Sequence, residues 1–282
     1  MAAAEKKRSR VPLSPMAVAG LLRELRAAAA DDKPLLVAGA RALAEALRRE
    51  LVRGGVANAV REQGPLEGTA ALVYVLADEV GEEDERMLRD ADRARLPILC
   101  ILAGPATVDA EIPYVLAENV IRAGAGSGFP VDAIARRLAR MLGEKATPLA
   151  ARLPALRRPV CEELVSRFSR QNALIGAAVF VPGADLPALT LNQIRLVLRI
   201  ADAYGFEVDR DRLPELLAVV GSGLGFRAVA RQALGLVPVA GWALKGGVAY
   251  AGTRALGEAA MRYFERRAPV TRVAGGRARF PR

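Results

Sequence analysis

The sequence of 282 residues contains no histidine. That absence excludes Ser-His-Asp and Cys-His nucleophile systems, histidine metal sites and imidazole acid/base chemistry. Only two cysteines are present, Cys100 and Cys161, far apart and without CxxC spacing, so neither a zinc site nor a dithiol redox motif is available. They read as small buried apolar residues of a reducing compartment. Aromatics are 5% of the chain, and no basic segment has the aromatic interleaving of a nucleic-acid reader, so nucleic acid is not an expected partner. No metal and no cofactor is expected. The N-terminus lacks the uninterrupted apolar core of a signal peptide, which predicts a cytosolic start.

Long apolar runs are scarce as well. Gln232 to Thr253 spans 22 residues with one charge, Lys245. Its six Leu and Val residues contribute about −2 to −4 kcal/mol on an insertion scale, against about 2.5–3.5 for a central lysine. Spanning is therefore marginal. The run Gln171 to Ala184 has 14 uncharged residues and a proline, too short to cross alone.

What is present is a globular composition, 52% hydrophobic and 26% charged, on a chain long enough for two ordinary domains. The formal charge is +10, and +7 of it lies at the two ends. Residues 1–13 hold Lys6, Lys7, Arg8 and Arg10 against Glu5, and residues 268–282 hold Arg272, Arg277, Arg279 and Arg282 against no acid. Both ends are expected to be disordered basic tails, suited to a polyanion such as anionic lipid.

Ser14-Pro15 is a helix start, with Leu21, Leu22 and Leu25 as its stripe, which predicts an N-terminal helix over 14–30. Short apolar runs at 34–38, 56–60, 70–77, 97–103 and 112–116 then alternate with helical stretches at 41–51, 82–96 and 130–142. Continuous apolarity in the runs predicts strands buried on both faces, hence a doubly wound, mostly parallel α/β domain over 31–145. A linker is expected at 146–158. From 159 to 267 a compact Gly/Ala-rich all-α domain is expected: a helix opening at Pro159, a second from Thr190 as N-cap to Gly205 as stop, one or two more ended by Pro238, and a last one over Ala240 to Arg267.

Ligands of doubly wound sheets sit beyond the carboxyl ends of the strands. The first such turn reads LLVAGARALAEAL, where Gly39 is the only glycine and neither lysine nor hydroxyl follows, so the GxxxxGK[ST] phosphate loop is absent. The third strand ends at Asp78 and Glu79, before Glu82, Glu83, Asp84 and Glu85. These acids match the preference of a helix N-terminus for negative charge, the alternative being a magnesium site. Gly124, Gly126 and Gly128 precede a helix, but Asp132 stands at its start, so a connecting loop is favoured over an anion nest. Gly39, Asp78, Gly124, Gly126 and Gly128 are thus the candidates for an atypical nucleotide site, as an alternative only. In the last helix Ala243, Gly247, Ala251 and Ala255 recur every fourth residue as a strip of small side chains fit for close helix packing. Trp242 and Lys245 beside it suit a membrane surface. GSGLG (221–225) and KGG (245–247) lie in helical pattern and read as packing glycines.

The order PLLVAGARALAEAL, ALVYVLA, LRDADRARLPILCIL and IPYVLAENVIRAGAGSGFPVDAIARRLARML resembles a small Ras-like or Era-like GTPase domain without its nucleotide motifs, which implies a pseudo-GTPase. VPGADLPALTLNQIRLVLRIADAYG, LAVVGSGLGFRAVARQ and PVAGWALKGGVAYAGTRALGEAAMRYF resemble the bacterial domain of unknown function 697. That family occurs fused to or beside GTPases and includes an inner-membrane protein. The resemblance implies membrane proximity and a GTPase partner rather than catalysis. The expected protein is therefore a non-catalytic, membrane-associated scaffold or adaptor at the cytoplasmic side of the inner membrane, peripheral or partly embedded. Its expected partners are a GTPase or another protein, a second copy of itself, or an anionic membrane met by Arg266, Arg267, Arg272 and Arg277. The alternatives are a soluble cytoplasmic protein and a nucleotide-binding protein or GTPase-related enzyme with an atypical site.

Overall fold

A computed structural model of the chain describes residues 15–103, 111–124, 128–178, 186–206 and 242–268. Five strands, β1 (Leu35–Gly39), β2 (Val60–Arg61), β3 (Ala71–Leu76), β4 (Ile98–Leu102) and β5 (Val120–Arg122), form one sheet in the order β2-β1-β3-β4-β5. Every neighbouring pair is parallel. This is one of the two common orders of doubly wound sheets, with the topological switch between β1 and β3.

The apolar runs are continuous because both faces are covered. Leu35, Val37, Val73, Val75, Leu99 and Ile101 point to one side, where α2 (Arg41–Val52) and α4 (Val131–Leu142) pack. Leu36, Leu72, Tyr74, Ile98 and Cys100 point to the other, against Leu88 and Ala91 of α3 (Glu82–Arg93). Burial pushes the Cys100 thiol up to about 12 and raises that of Cys161 too, so both stay protonated and inert, as small core residues.

Two strand expectations need correction. The run at 112–116 is no strand: Pro113 and Tyr114, the latter at φ 65°, form a turn, and Ile112 packs on the α3 side of the core. The fifth strand is Val120–Arg122, only three residues long. At 56–60 a single 3-10 turn takes most of the run, and only Val60 and Arg61 pair with β1.

The first core does not stop at the sheet. It continues through α5 (Thr147–Arg152), α6 (Pro154–Ala178), α7 (Leu186–Ala203) and α8 (Trp242–Glu265), taking in Leu142, Leu149, Leu153, Leu156, Leu164, Phe168, Val197, Ile200 and Phe264. The segment 146–158, expected as a linker, is thus helical, and Thr147 to Ala151, Leu153 and Leu156 are buried in it. Arg152 fastens it to the sheet by donating to the backbone oxygens of Asp32 (2.7 Å) and Lys33 (2.8 Å). The N-terminal helix α1 (Pro15–Ala29) lays Leu21, Leu22 and Leu25 into the same core.

Helix starts also move. α6 begins at Pro154, with the pre-set φ of a first-turn proline, and Pro159 lies inside it. α7 begins at Leu186, so Thr190 is interior and not a cap. The stop at Gly205 is as expected: at φ 81° its N–H donates to Asp202 O (2.7 Å) and Phe206 N–H to Ala201 O (2.9 Å), the paired bonds of a glycine-closed helix end. Phe206 is thereby turned onto Phe264, ring centres 5.4 Å apart. Ile194, Val197, Leu198 and Ala201 are all buried, but so is every residue from Leu196 to Tyr204, so the second half of α7 is enclosed all round and not on one face alone.

Candidate functional site

The switch point, where a doubly wound sheet binds its ligands, lies between the carboxyl ends of β1 and β3. Gly39 is the last residue of β1, at φ 103°, and α2 starts two residues later at Arg41. A Cβ on Gly39 would lie 2.1 Å from the Val75 carbonyl oxygen. That oxygen accepts the Ala40 N–H at 2.8 Å. The glycine therefore serves close backbone contact between β1 and β3, and the turn is too short for backbone amides to wrap a phosphate.

Two of the acids beyond β3, Asp84 and Glu85, have structural partners. Asp84 Oδ1 accepts the Tyr74 hydroxyl at 2.7 Å and its Oδ2 accepts the Gly81 N–H at 2.9 Å, so Asp84 caps α3 from the third helical position. Burial, then this hydrogen bond, holds the Tyr74 phenol protonated well above its ordinary range. Glu85 pairs with Arg89 at 2.8 Å, and the Arg89 guanidinium lies 5.9 Å from the centre of the Tyr114 ring. Asp78 and Glu79 are exposed. Among the described residues no group of three His, Cys, Asp or Glu could hold a metal ion.

Asp84→Ala is expected to destabilise the fold by about 1–3 kcal/mol, because it leaves the hydroxyl of the buried Tyr74 and an N-terminal amide without their acceptor. Urea unfolding measures it. Asp84→Asn, which keeps an acceptor, should retain most of the stability. A negligible loss in Asp84→Ala would instead leave the carboxylate free for another task.

Gly124 and Gly128 are exposed, Gly128 at φ 73° with nothing near a would-be Cβ, and Gly126 lies outside the described residues. Gly39 ends β1, Asp78 follows β3, and Gly124 and Gly128 follow β5 of the same sheet. An open cleft of about 530 Å³ lies at the opposite, amino end of the strands, between Lys33, Thr69, Pro97 and Lys145.

In the helical part the close-packing surface differs from the expected one. Gly247 and Ala251 are exposed, as is Ala255, and a Cβ on Gly247 would meet nothing. The helix crossing is made by Gly246, whose Cβ would lie 3.0 Å from Ala173 O, and by Gly257, whose Cβ would lie 2.5 Å from Val165 Cγ2. The reason is angular. Each four-residue step advances about 40° around a helix, so the series 243-247-251-255 winds off any one face. Gly246, Thr253, Gly257, Ala260 and Phe264 are spaced by seven, four, three and four and remain on one stripe. Beside the crossing, buried Asn172 donates to Thr253 Oγ1 at 2.8 Å and accepts from Asn192 at 3.0 Å, tying α6, α7 and α8 by one polar network. The side chains of Trp242, Ala243 and Lys245 lie outside the described residues, as do GSGLG at 221–225 and both Arg272 and Arg277. Arg266 and Arg267 are exposed, and the Arg267 guanidinium is stacked 3.9 Å from the Tyr263 ring centre.

Two features carried no local signal. Arg195 and Arg199 of α7 meet Glu24 of α1 and Glu144 beyond α4, with Arg199 Nη2 at 3.4 Å from each carboxylate. The Asn172 to Thr253 bond likewise joins residues 81 apart in sequence. The Asp84 cap could have been found, since Gly81-x-x-Asp84 has capping-box spacing.

The geometry thus defines a doubly wound α/β unit whose described switch point is closed by its own backbone, sharing a core with a helical bundle. Residues 140–276 match the family described as domain of unknown function DUF697. The match starts within α4 and takes in α5 to α8, so it includes Arg152, which bonds the backbone ahead of β1, while α2 and α3 lie outside it. No curated protein and no solved structure matches the chain. Among the described residues no helix is long and apolar enough to cross a membrane.

Proposed function

We propose that this chain is a non-catalytic scaffold or adaptor. Its α/β unit is a GTPase-like fold without a nucleotide site, and its DUF697-type helical unit works with a protein partner at the cytoplasmic face of the inner membrane. The observation that carries the reading is the sealed β1 to α2 turn: where a nucleotide-binding relative would open a loop, Gly39 is pressed on the Val75 carbonyl and Ala40 is bonded to it. The engagement of Asp84 by Tyr74 and Gly81 supports it, because it removes one of the carboxylates beyond β3 from magnesium binding. Membrane attraction is assigned to the basic ends, at about 1 kcal/mol per basic residue near an anionic surface.

Calorimetry with GTP or ATP and magnesium should show no binding by the full chain. A micromolar affinity would overturn the non-catalytic half and favour the nucleotide-binding alternative. Co-sedimentation should show binding to anionic and not to neutral vesicles, weakened when Arg266, Arg267, Arg272 and Arg277 are all changed to glutamate. Equal absence of binding to both vesicle types would sink the membrane half.

A further inference from the structure

α6 and α8 run side by side, and an open groove of about 440 Å³ lies between them. One wall carries Arg158 and Glu162, the other Arg254, Glu258, Arg262 and Glu265, over a floor that includes Val165 and Met261. Three arginines and three glutamates leave the groove electrically neutral on a chain of net charge +10. That balance argues against a polyanion as its occupant. A lipid surface or a nucleic acid would meet three carboxylates there, and a basic segment would meet three guanidiniums.

Along each helix the charges alternate by one turn, with Arg158 bonded to Glu162 at 2.9 Å and Arg254 to Glu258 at 3.0 Å. The surface that complements an alternating row is the same row reversed. A two-fold axis supplies that reversal, since in an isologous contact residue i meets j and j meets i. We infer that the α6/α8 groove is a self-association surface whose occupant is a second copy of this chain, with Arg254 of each copy against Glu258 of the other.

Two further properties fit. On the open side of α8, Gly247, Ala251 and Ala255 are exposed and small, so a second helix can approach without displacing bulk. The groove is also held in shape before any contact, by Gly257 against Val165 and by the Asn172 to Thr253 bond, so little ordering is left for association. A second copy would be one partner of the scaffold proposed above, and the pairing rests on that reading only for its purpose. Nucleotide and vesicle binding could each fail with the pairing intact, and the reverse.

Sedimentation velocity on the full chain at micromolar concentration tests it. The wild type should be a dimer. Arg254→Glu places Glu against Glu across the axis and Glu258→Arg places Arg against Arg, so each single variant should weaken self-association about tenfold or more and sediment as a monomer. An equimolar mixture of the two variants restores both cross pairs and should sediment as a heterodimer. The double variant carrying both reversals should dimerise by itself, which covers the case of one single variant failing to fold. A monomeric wild type, single variants that stay dimeric, or a mixture that stays monomeric would each overturn the assignment.

Discussion

Gly39→Ala is expected to destabilise the protein by about 4 kcal/mol, a large part of the 5–15 kcal/mol typical of a folded domain. Two costs combine. A side chain at φ 103° is strained wherever it is placed, at roughly 1–3 kcal/mol. The added carbon would also lie 2.1 Å from Val75 O and 2.9 Å from the backbone carbon and nitrogen of the same residue. β3 is buried along its whole length and paired on both sides, so it cannot retreat from the overlap. Urea unfolding measures the loss, with Ala40→Gly as a nearby control. The control should shift by well under half as much. Were Gly39→Ala as stable as the wild type but altered in ligand binding, the glycine would serve a ligand, and the sealed-turn reading would be wrong.

Glu144→Ala is expected to cost about 3 kcal/mol. Arg199 is only 6% exposed, and its Nη2 is held by Glu144, itself 23% exposed, and by the more open Glu24. Removing the more buried carboxylate leaves a buried guanidinium with one half-exposed partner, the situation in which a broken ion pair costs most. The pairing of Arg195 with the same two acids means the losses will not add. A Glu144→Gln, Arg199→Met double variant, which removes the charge requirement and keeps the volume, should recover most of the stability. Thermal unfolding of the two single variants and the double variant forms the cycle. Strict additivity would show that the contact is incidental. Because the cluster joins α1, the turn after α4 and α7, Glu144→Ala should also speed amide exchange in α1.

These two positions also show what local patterns could and could not carry. The closed switch point was legible as a missing motif: after LLVAG no second glycine, lysine or hydroxyl follows, and the structure adds only where the glycine went. The acids of the α3 N-terminus were legible as dipole partners, but the role of Asp84 needed Tyr74, ten residues earlier, to be brought beside it by the strand-to-helix turn. The ion cluster was not legible at all, since Glu24 and Arg195 are 171 residues apart and nothing local marks them as partners. The apolar run at 112–116 misled for a related reason. Apolarity reports burial, and Ile112 is buried, but as a cover on a sheet face and not as part of a strand.

α8 gives the same lesson in one helix. Its glycines and alanines were expected to allow close packing, and they do, yet a helix this rich in small residues offers several such stripes. Ala243, Gly247, Ala251 and Ala255 form one on paper, while Gly246, Thr253 and Gly257 form the one that meets Ala173 and Val165. Which stripe is used depends on the partner helix, whose Val165 can sit only where a Cβ is missing.

By itself the sequence determined the α/β rhythm, the absence of a phosphate loop and of histidine chemistry, the glycine stop of α7 and the charge of the two ends. Each of these is a property of residues close together in the chain, where dihedral preference, side-chain period and residue chemistry act directly. Only the tertiary structure decided that the expected linker is buried helix, that one core runs from the sheet into the helical bundle, and which face of α8 is left open with its alternating charges. Those outcomes depend on surfaces far apart in sequence finding each other, and the free energy of that fit is set by both partners at once.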